Sequence, residues 1–123
     1  MVFNKDSKHD IYLEQLIYNL DRIGEDKSNI EYVLVNPMWY EQPNSQNKMA
    51  DLVLLNRDGI IKIIELKSNN HQRRKAVNQV DSTERYIEEL DHYFHHRFTG
   101  LEKKIVYYGT GEYDYEVVPN KLY

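Results

Sequence analysis

Apolar positions along the chain follow two periods, one helical and one extended. Leu13, Leu16, Ile17, Leu20 and Ile23 recur at helical spacing, which predicts a helix over residues 8–23 that stops at Gly24. A run over 30–35 predicts a first strand, ended by the Asn36-Pro37 step before a polar loop over 41–48. Two more apolar runs, Asp51-Leu52-Val53-Leu54-Leu55 and Ile60-Ile61-Lys62-Ile63-Ile64-Glu65-Leu66-Lys67, flank the turn signal Asn56-Arg57-Asp58-Gly59 and predict a β-hairpin. After a short loop over 69–72, Val80, Ile87, Leu90, Phe94 and Phe98 mark one side of a long helix reaching about residue 97. Residues 103–109 and 113–118 read as two further strands joined by Thr110-Gly111-Glu112. The expected order is therefore αβββαββ. The third strand, the long helix and the next strand form a crossover that sets those strands parallel, so the fold class is α/β with a central mixed sheet flanked by helices.

The hairpin makes a sharper prediction. If Arg57 and Asp58 form a type I turn and Gly59 takes the left-handed position of a three-residue loop, Asn56 faces Ile60 and the ladder runs down to Asp51 opposite Glu65. Opposed residues share a face, and alternation puts Lys67 on that same face with Ile61 and Ile63. A loop of two or four residues would move Asp51 to the other face from Glu65.

Two acids and a lysine at the ends of apolar strands are costly to bury unless paired or bound to a metal, which points to a site. Opposed carboxylates repel unless a cation lies between them, and hard oxygen ligands in a partly open site suit Mg²⁺ or Mn²⁺. There is no cysteine, and the five histidines show no metal-site spacing tied to these acids, which excludes a thiolate-type zinc site. Lys67 could orient or help deprotonate an attacking water, or neutralise charge on a phosphoryl group. The plainer alternative is an exposed Glu-x-Lys ion pair of little energetic consequence.

Other polar residues stand near the predicted apolar faces. Glu14 lies at the edge of the first helical stripe, with Asp10 one turn earlier; either could reach a site beneath the helix, or be a solvated acid, the reading preferred for Asp10. Gln79 falls within reach of the apolar side of the long helix, where its amide needs a partner, either the site or a bound phosphate, and Tyr86 extends the same edge two turns on. A helix-border glutamine donating to a backbone carbonyl is the alternative.

At 123 residues the chain is expected to form one domain, over 1–123. With 41% hydrophobic and 29% charged residues, and no apolar run long enough to span a bilayer, it reads as soluble. The polar stretch after Met1-Val2-Phe3 and the lack of cysteine lead to the expectation of a cytoplasmic protein. The net charge of −4 runs against nucleic-acid binding, but Arg73, Arg74 and Lys75 stand at the start of the long helix beside the predicted site, and Lys48, Lys67, Lys5 and Lys8 add to that side. Basic residues in a first helical turn oppose the macrodipole, so an anionic partner explains them better than solubility does.

The set of Glu14 in a first helix, Asp51 opening the second strand, Glu65-Leu66-Lys67 ending the third and Gln79 in the following helix resembles the PD-(D/E)XK nuclease superfamily. The stretch from Asp51 to Tyr86 is most similar to RecB-like, NucS-like and archaeal Holliday-junction resolvase nucleases. Two departures stand out: Ala50 precedes the acid where the family name has proline, and Tyr86 follows Gln79 by seven residues where RecB-like members have four. The resemblance implies a restriction-endonuclease-like core and metal-dependent endo- or exonucleolytic hydrolysis of nucleic-acid phosphodiesters, DNA before RNA, with branched or structured DNA among the substrates and repair or recombination as the setting. It implies that Asp51, Glu65, the Leu66 carbonyl and Glu14 hold Mg²⁺ or Mn²⁺, that Lys67 positions the water and that Gln79 fixes Lys67 or a phosphate. Lys48, Arg73, Arg74, Lys75 and Tyr86 would contact nucleic acid, and a homodimer is expected. Tyr107, Tyr108, Tyr113 and Tyr115 would then serve an interface or stack on bases, the alternative being half-buried packing. Two rival classes remain, a non-catalytic nuclease-fold module that binds nucleic acid or protein, and a phosphatase-like hydrolase. The second is disfavoured by the lack of a Gly-rich phosphate loop and of a nucleophile-base pair.

Overall fold

The computed structural model describes residues 7–35, 49–93 and 98–119. Helix α1 (Lys8–Ile17) starts at Ser7, whose hydroxyl caps the Asp10 N–H, and buries Leu13 and Leu16. The expected single helix over 8–23 is broken. Asn19 N–H bonds to Leu16 O and its side-chain amide takes the Gln15 carbonyl at 2.7 Å, so the backbone leaves the α ladder. The chain resumes as a 3₁₀ turn, Leu20–Ile23, closed by Gly24 at φ 80°. Leu20 and Ile23 still join the core beside Leu13 and Leu16.

Strands β1 (Ile30–Val35), β2 (Leu52–Asn56), β3 (Ile60–Lys67), β4 (Gly100–Tyr107) and β5 (Asp114–Val118) form one sheet in the order β1-β2-β3-β4-β5. Helix α2 (Arg73–Tyr93), preceded by a 3₁₀ turn at Asn70–Gln72, carries the chain from β3 to β4, which pair in parallel; the other three neighbouring pairs are antiparallel. The fold is thus mixed α/β with the expected αβββαββ order. Strand β4 begins three residues before the predicted 103, and β4 and β5 are joined across a turn with Gly111 at φ 84°. The Asn36-Pro37 step, the 41–48 loop and Phe94 lie outside the described residues. Among the described residues no helix is long and apolar enough to cross a membrane.

The hairpin register is the predicted one. Gly59 adopts φ 87°, its N–H bonds to Asn56 O at 3.0 Å, and β2 and β3 pair as Leu52↔Ile64 through Leu55↔Ile61. Alternation then divides the apolar residues between two cores. Ile64, Leu66, Leu52 and Leu54 pack with α1 and the 3₁₀ turn, whereas Ile61, Ile63 and Val53 pack with Ala76, Val80 and Ile87 of α2.

Strand β4 also buries two lysines on opposite faces. Lys103, with no exposed surface, donates to Asp81 and Glu84 of α2 at 2.9 Å each. Lys104 donates to the Ile23 carbonyl at 2.7 Å and pairs with Glu25. Each helical layer is therefore tied to β4 by a charge that is stable there only while paired.

Two outcomes follow for stability. Gly59→Ala forces a side chain into the left-handed region, with its Cβ 2.9 Å from Thr99 Oγ1, and should cost about 1–2 kcal/mol or more in urea unfolding. Lys103→Met leaves Asp81 and Glu84 without this cation and should cost about 3–5 kcal/mol.

Candidate active site at the end of the β2–β3 hairpin

The antiparallel ladder between β2 and β3 stops one rung early, and the site lies where it stops. Continuing the register would pair Ala50 with Leu66. Instead the Ala50 N–H donates to Thr83 Oγ1 of α2 at 2.9 Å, and the Leu66 N–H donates to Asp51 Oδ2 at 2.9 Å. The Asp51 N–H in turn donates to Glu65 Oε1 at 3.0 Å. Side chains thus replace the missing backbone partners, and the two carboxyls are held against the strand end by the need to satisfy buried N–H groups. Because both backbone groups of a strand residue point to the same side, the Leu66 carbonyl faces the gap that Ala50 has left.

Asp51 is 8% exposed and Glu65 only 1%. Lys67 Nζ lies 3.1 Å from Glu65 Oε2, on the face shared with Ile61 and Ile63. The structure therefore brings together Asp51, Glu65 and Lys67 as the register requires.

It also brings in a residue that the sequence spacing did not suggest. His9, in the first turn of α1, places Nε2 3.0 Å from Asp51 Oδ2 and Nδ1 3.1 Å from Asp10 Oδ1. The histidines are thus not all remote from the acids, and Asp10, read as a solvated acid, supports His9. Glu14 has the opposite fate: it is exposed one turn further along α1, with no hydrogen bond or ion pair to the site. The stripe of Leu13 and Leu16 faces the core and turns Glu14 outward, while the helix start approaches the strand end. Aromatic packing sets that approach. Tyr12 stacks on Tyr108 with centroids 4.5 Å apart and meets Tyr113 edge-on, and Tyr113 Oη donates to the Tyr12 carbonyl at 2.7 Å. Tyr108 and Tyr113, just outside the ends of β4 and β5, are thereby committed to packing. The only local signal for His9 was the Ser7-x-x-Asp10 helix start, which fixes its place on α1 but not what it faces.

Gln79 is buried on the sheet-facing side of α2, and its Oε1 has no hydrogen-bond partner among the described residues. The orphaned atom is an acceptor, and leaving it buried without a donor is costly. Arg73, Arg74 and Lys75 are exposed at the start of α2, but Arg73 Nε is held by Glu116 of β5 at 2.6 Å. Tyr86 is half-buried further along α2. Lys48 lies outside the described residues.

The charges are strongly interdependent. Burial and the neighbouring Asp51 charge push the Glu65 carboxyl up to about 9, against the pull of Lys67. Burial works against ionised Asp51 too, but hydrogen bonds from His9 and Glu65, the His9 charge and the Leu66 N–H outweigh it and hold this carboxyl below its usual range. The hydrogen bond to Asp51 overcomes the burial of His9 and raises its imidazole from 6.5 to about 9. Without metal at neutral pH, Asp51 is therefore ionised, His9 is an imidazolium and Glu65 keeps its proton. A proton and an imidazolium supply the positive charge that two buried carboxyls demand.

That demand is the test of fit for a metal. Among the described residues, no group of three or more His, Cys, Asp or Glu side chains converges on a point where an ion could be held. A Mg²⁺ site of one or two carboxylates, a carbonyl and waters needs no third such side chain, and Asp51, Glu65 and the Leu66 carbonyl match that donor set. No known protein family, characterised protein or solved structure matches the chain.

The pH dependence follows from the sign of these shifts. Glu65 and His9 both hold protons more tightly when folded. Their contributions are fully present below about pH 4.5 and 6.5 respectively and are lost as pH rises towards 9. In EDTA the melting temperature should fall between pH 6 and 9, and Glu65→Gln, a permanently neutral replacement, should flatten that fall and melt higher than the parent at pH 9.

Proposed function

We propose that the chain is a metal-dependent nuclease with a restriction-endonuclease-like core, of the PD-(D/E)XK kind that its sequence resembles. The observation that carries this reading is the opposition of Asp51 and Glu65 at the unfinished end of the β2–β3 ladder, with Lys67 on Glu65. The five-stranded mixed sheet and the αβββαββ order are in keeping with it.

Asp51, Glu65 and the Leu66 carbonyl would hold Mg²⁺ or Mn²⁺. When bound, the ion supplies Lewis-acid stabilisation of the phosphoryl oxygens and lowers the pKa of water. The chain's residues do the rest. To serve as a ligand Glu65 would have to lose its proton to solvent, which would leave its carboxylate beside the Lys67 ammonium. Lys67 orients the attacking water or neutralises charge on the phosphoryl group, and Gln79 fixes Lys67, whose ammonium can donate to the unsatisfied Oε1, or reaches a phosphate oxygen through its amide N–H groups. Arg74 and Lys75 stand exposed in the first turn of α2 and suit the phosphate backbone; Lys48, Tyr86 and, once released from Glu116, Arg73 extend that contact. DNA is the preferred substrate, branched or structured DNA in particular, with repair or recombination as the setting, and a homodimer would cover enough of it. Glu14, exposed on α1, is a weaker candidate for the metal shell than His9.

One observation favours a second reading, a nuclease-fold module that binds without cutting: the His9 imidazolium already pairs with Asp51 Oδ2 and supplies a cation at the acids.

The deciding experiment is cleavage of a labelled panel of single strand, duplex, flap and four-way junction with Mg²⁺, Mn²⁺ or EDTA. Metal-dependent cutting that is abolished in folded Glu65→Ala, and lowered about 10²–10³-fold in Lys67→Met, is the expected result. Full activity in the Glu65 variant sinks the assignment, and binding without cutting on every substrate moves it to the binding module.

A further inference from the structure

Alternation along the second strand fails just before Leu52, and the failure shapes the site. In a continuous strand Ala50 would share a face with Leu52 and Leu54, which pack in the core under α1. Ala50 packs instead with Ala76 and Val80 in the core under α2. The backbone bends at Asp51, so residues 49 and 50 leave the sheet towards that helix. Strand β3 does not follow. It stays paired with β4 as far as Lys67↔Tyr107, and the Lys67 carbonyl accepts from the Tyr108 N–H at 3.0 Å. Since Lys67 turns its backbone groups to β4, Leu66 turns both of its own to the place that Ala50 has vacated.

Thr83 holds Ala50 on the helix side. It stands in the apolar stripe of α2 between Val80 and Ile87 and is fully buried. A hydroxyl has one hydrogen, and the Gln79 carbonyl one turn back takes it at 2.9 Å, with Met49 Sδ to the side at 3.4 Å. The oxygen lone pairs are left for the Ala50 N–H, 2.9 Å away. This bond is buried, so an Ala50 N–H without the hydroxyl would have no water to turn to. The acceptor that the strand register offers it is the Leu66 carbonyl.

We propose that Thr83 is a positioning residue for the site: by holding the Ala50 N–H it keeps the last rung of the β2–β3 ladder open, which leaves the Leu66 carbonyl to a divalent cation and the Leu66 N–H to orient Asp51. The cation rests on the nuclease reading; the open rung rests on the hydrogen bonds alone. Thr83 itself touches neither substrate nor cation. Residue 50 supplies the reason for such a device, because a proline there would carry no N–H, whereas alanine has one that must be satisfied.

The test compares Thr83→Val, which removes the hydroxyl and keeps the branched shape, with Thr83→Ser, which keeps the hydroxyl. In EDTA, NMR scalar coupling across a hydrogen bond from Ala50 N to Leu66 C′ should be absent in the parent and in Thr83→Ser and present in Thr83→Val, where the rung closes. Mn²⁺ binding without substrate, followed by water-proton relaxation, should weaken about 10–100-fold in Thr83→Val and stay at the parent's level in Thr83→Ser. A threonine that serves packing alone would change the melting temperature and neither of these. If Thr83→Val does not fold, adding Ala50→Pro removes the donor that needs the hydroxyl and should restore both the fold and Mn²⁺ binding. Failure to restore them overturns the proposal, as does a folded Thr83→Val variant that shows no coupling or binds Mn²⁺ as the parent does. The expected coupling in a protein that binds no Mn²⁺ keeps the role of Thr83 in the rung and removes the metal reading; Mn²⁺-dependent cutting that is unaffected in Thr83→Val does the reverse.

Discussion

The left-handed conformation of Gly59 sets the register of β2 on β3, and both the core and the site depend on that register. A slip of one residue would turn Val53, Ile61 and Ile63 away from α2 and carry Asp51 to the other side of the strand from Glu65. The apolar residues resist such a slip far more strongly than the acids could, since several buried side chains would have to enter water together. Opposed carboxyls, unfavourable in themselves, are thus imposed by the hydrophobic pattern of the strands that carry them.

The unfinished ladder explains why the opposition is tolerated. Thr83 takes the Ala50 N–H, Asp51 takes that of Leu66 and Glu65 takes that of Asp51, so each polar group in the gap is needed by another. Strands β2 and β3 and helix α2 meet in this network, and His9 brings α1 into it. The remaining excess of negative charge is met by protons, one on Glu65 and one on His9. The same logic runs through β4, where Lys103 and Lys104 are buried against acids of the two helical layers and lock the sheet between them.

Much of this was legible in the sequence because it is local. Turn chemistry at 56–59 and a period of two on either side were enough to predict the hairpin, its register and the shared face of Asp51, Glu65 and Lys67. The helical period found the core residues of α1 but not the break at Asn19, because a 3₁₀ turn brings Leu20 and Ile23 to the same core that a continuous helix would. Lys103 was invisible as a buried residue: its partners lie on α2, and alternation along a strand does not reveal which lysine will find acids across the layer.

By itself, then, the chain determined its element order, the crossover that makes β3 and β4 parallel, and the pairing of two acids with a lysine, all of which follow from short-range periodicity and one turn. Only the tertiary structure decided that His9 meets Asp51 across 42 positions, that Glu14 faces outward and that Gln79 Oε1 finds no partner among the described residues. Those outcomes depend on the angle at which each helix docks on the sheet. For α1 that angle is set by contacts such as Tyr12 on Tyr108 and Tyr113, between side chains too far apart in sequence for any local pattern to bring together.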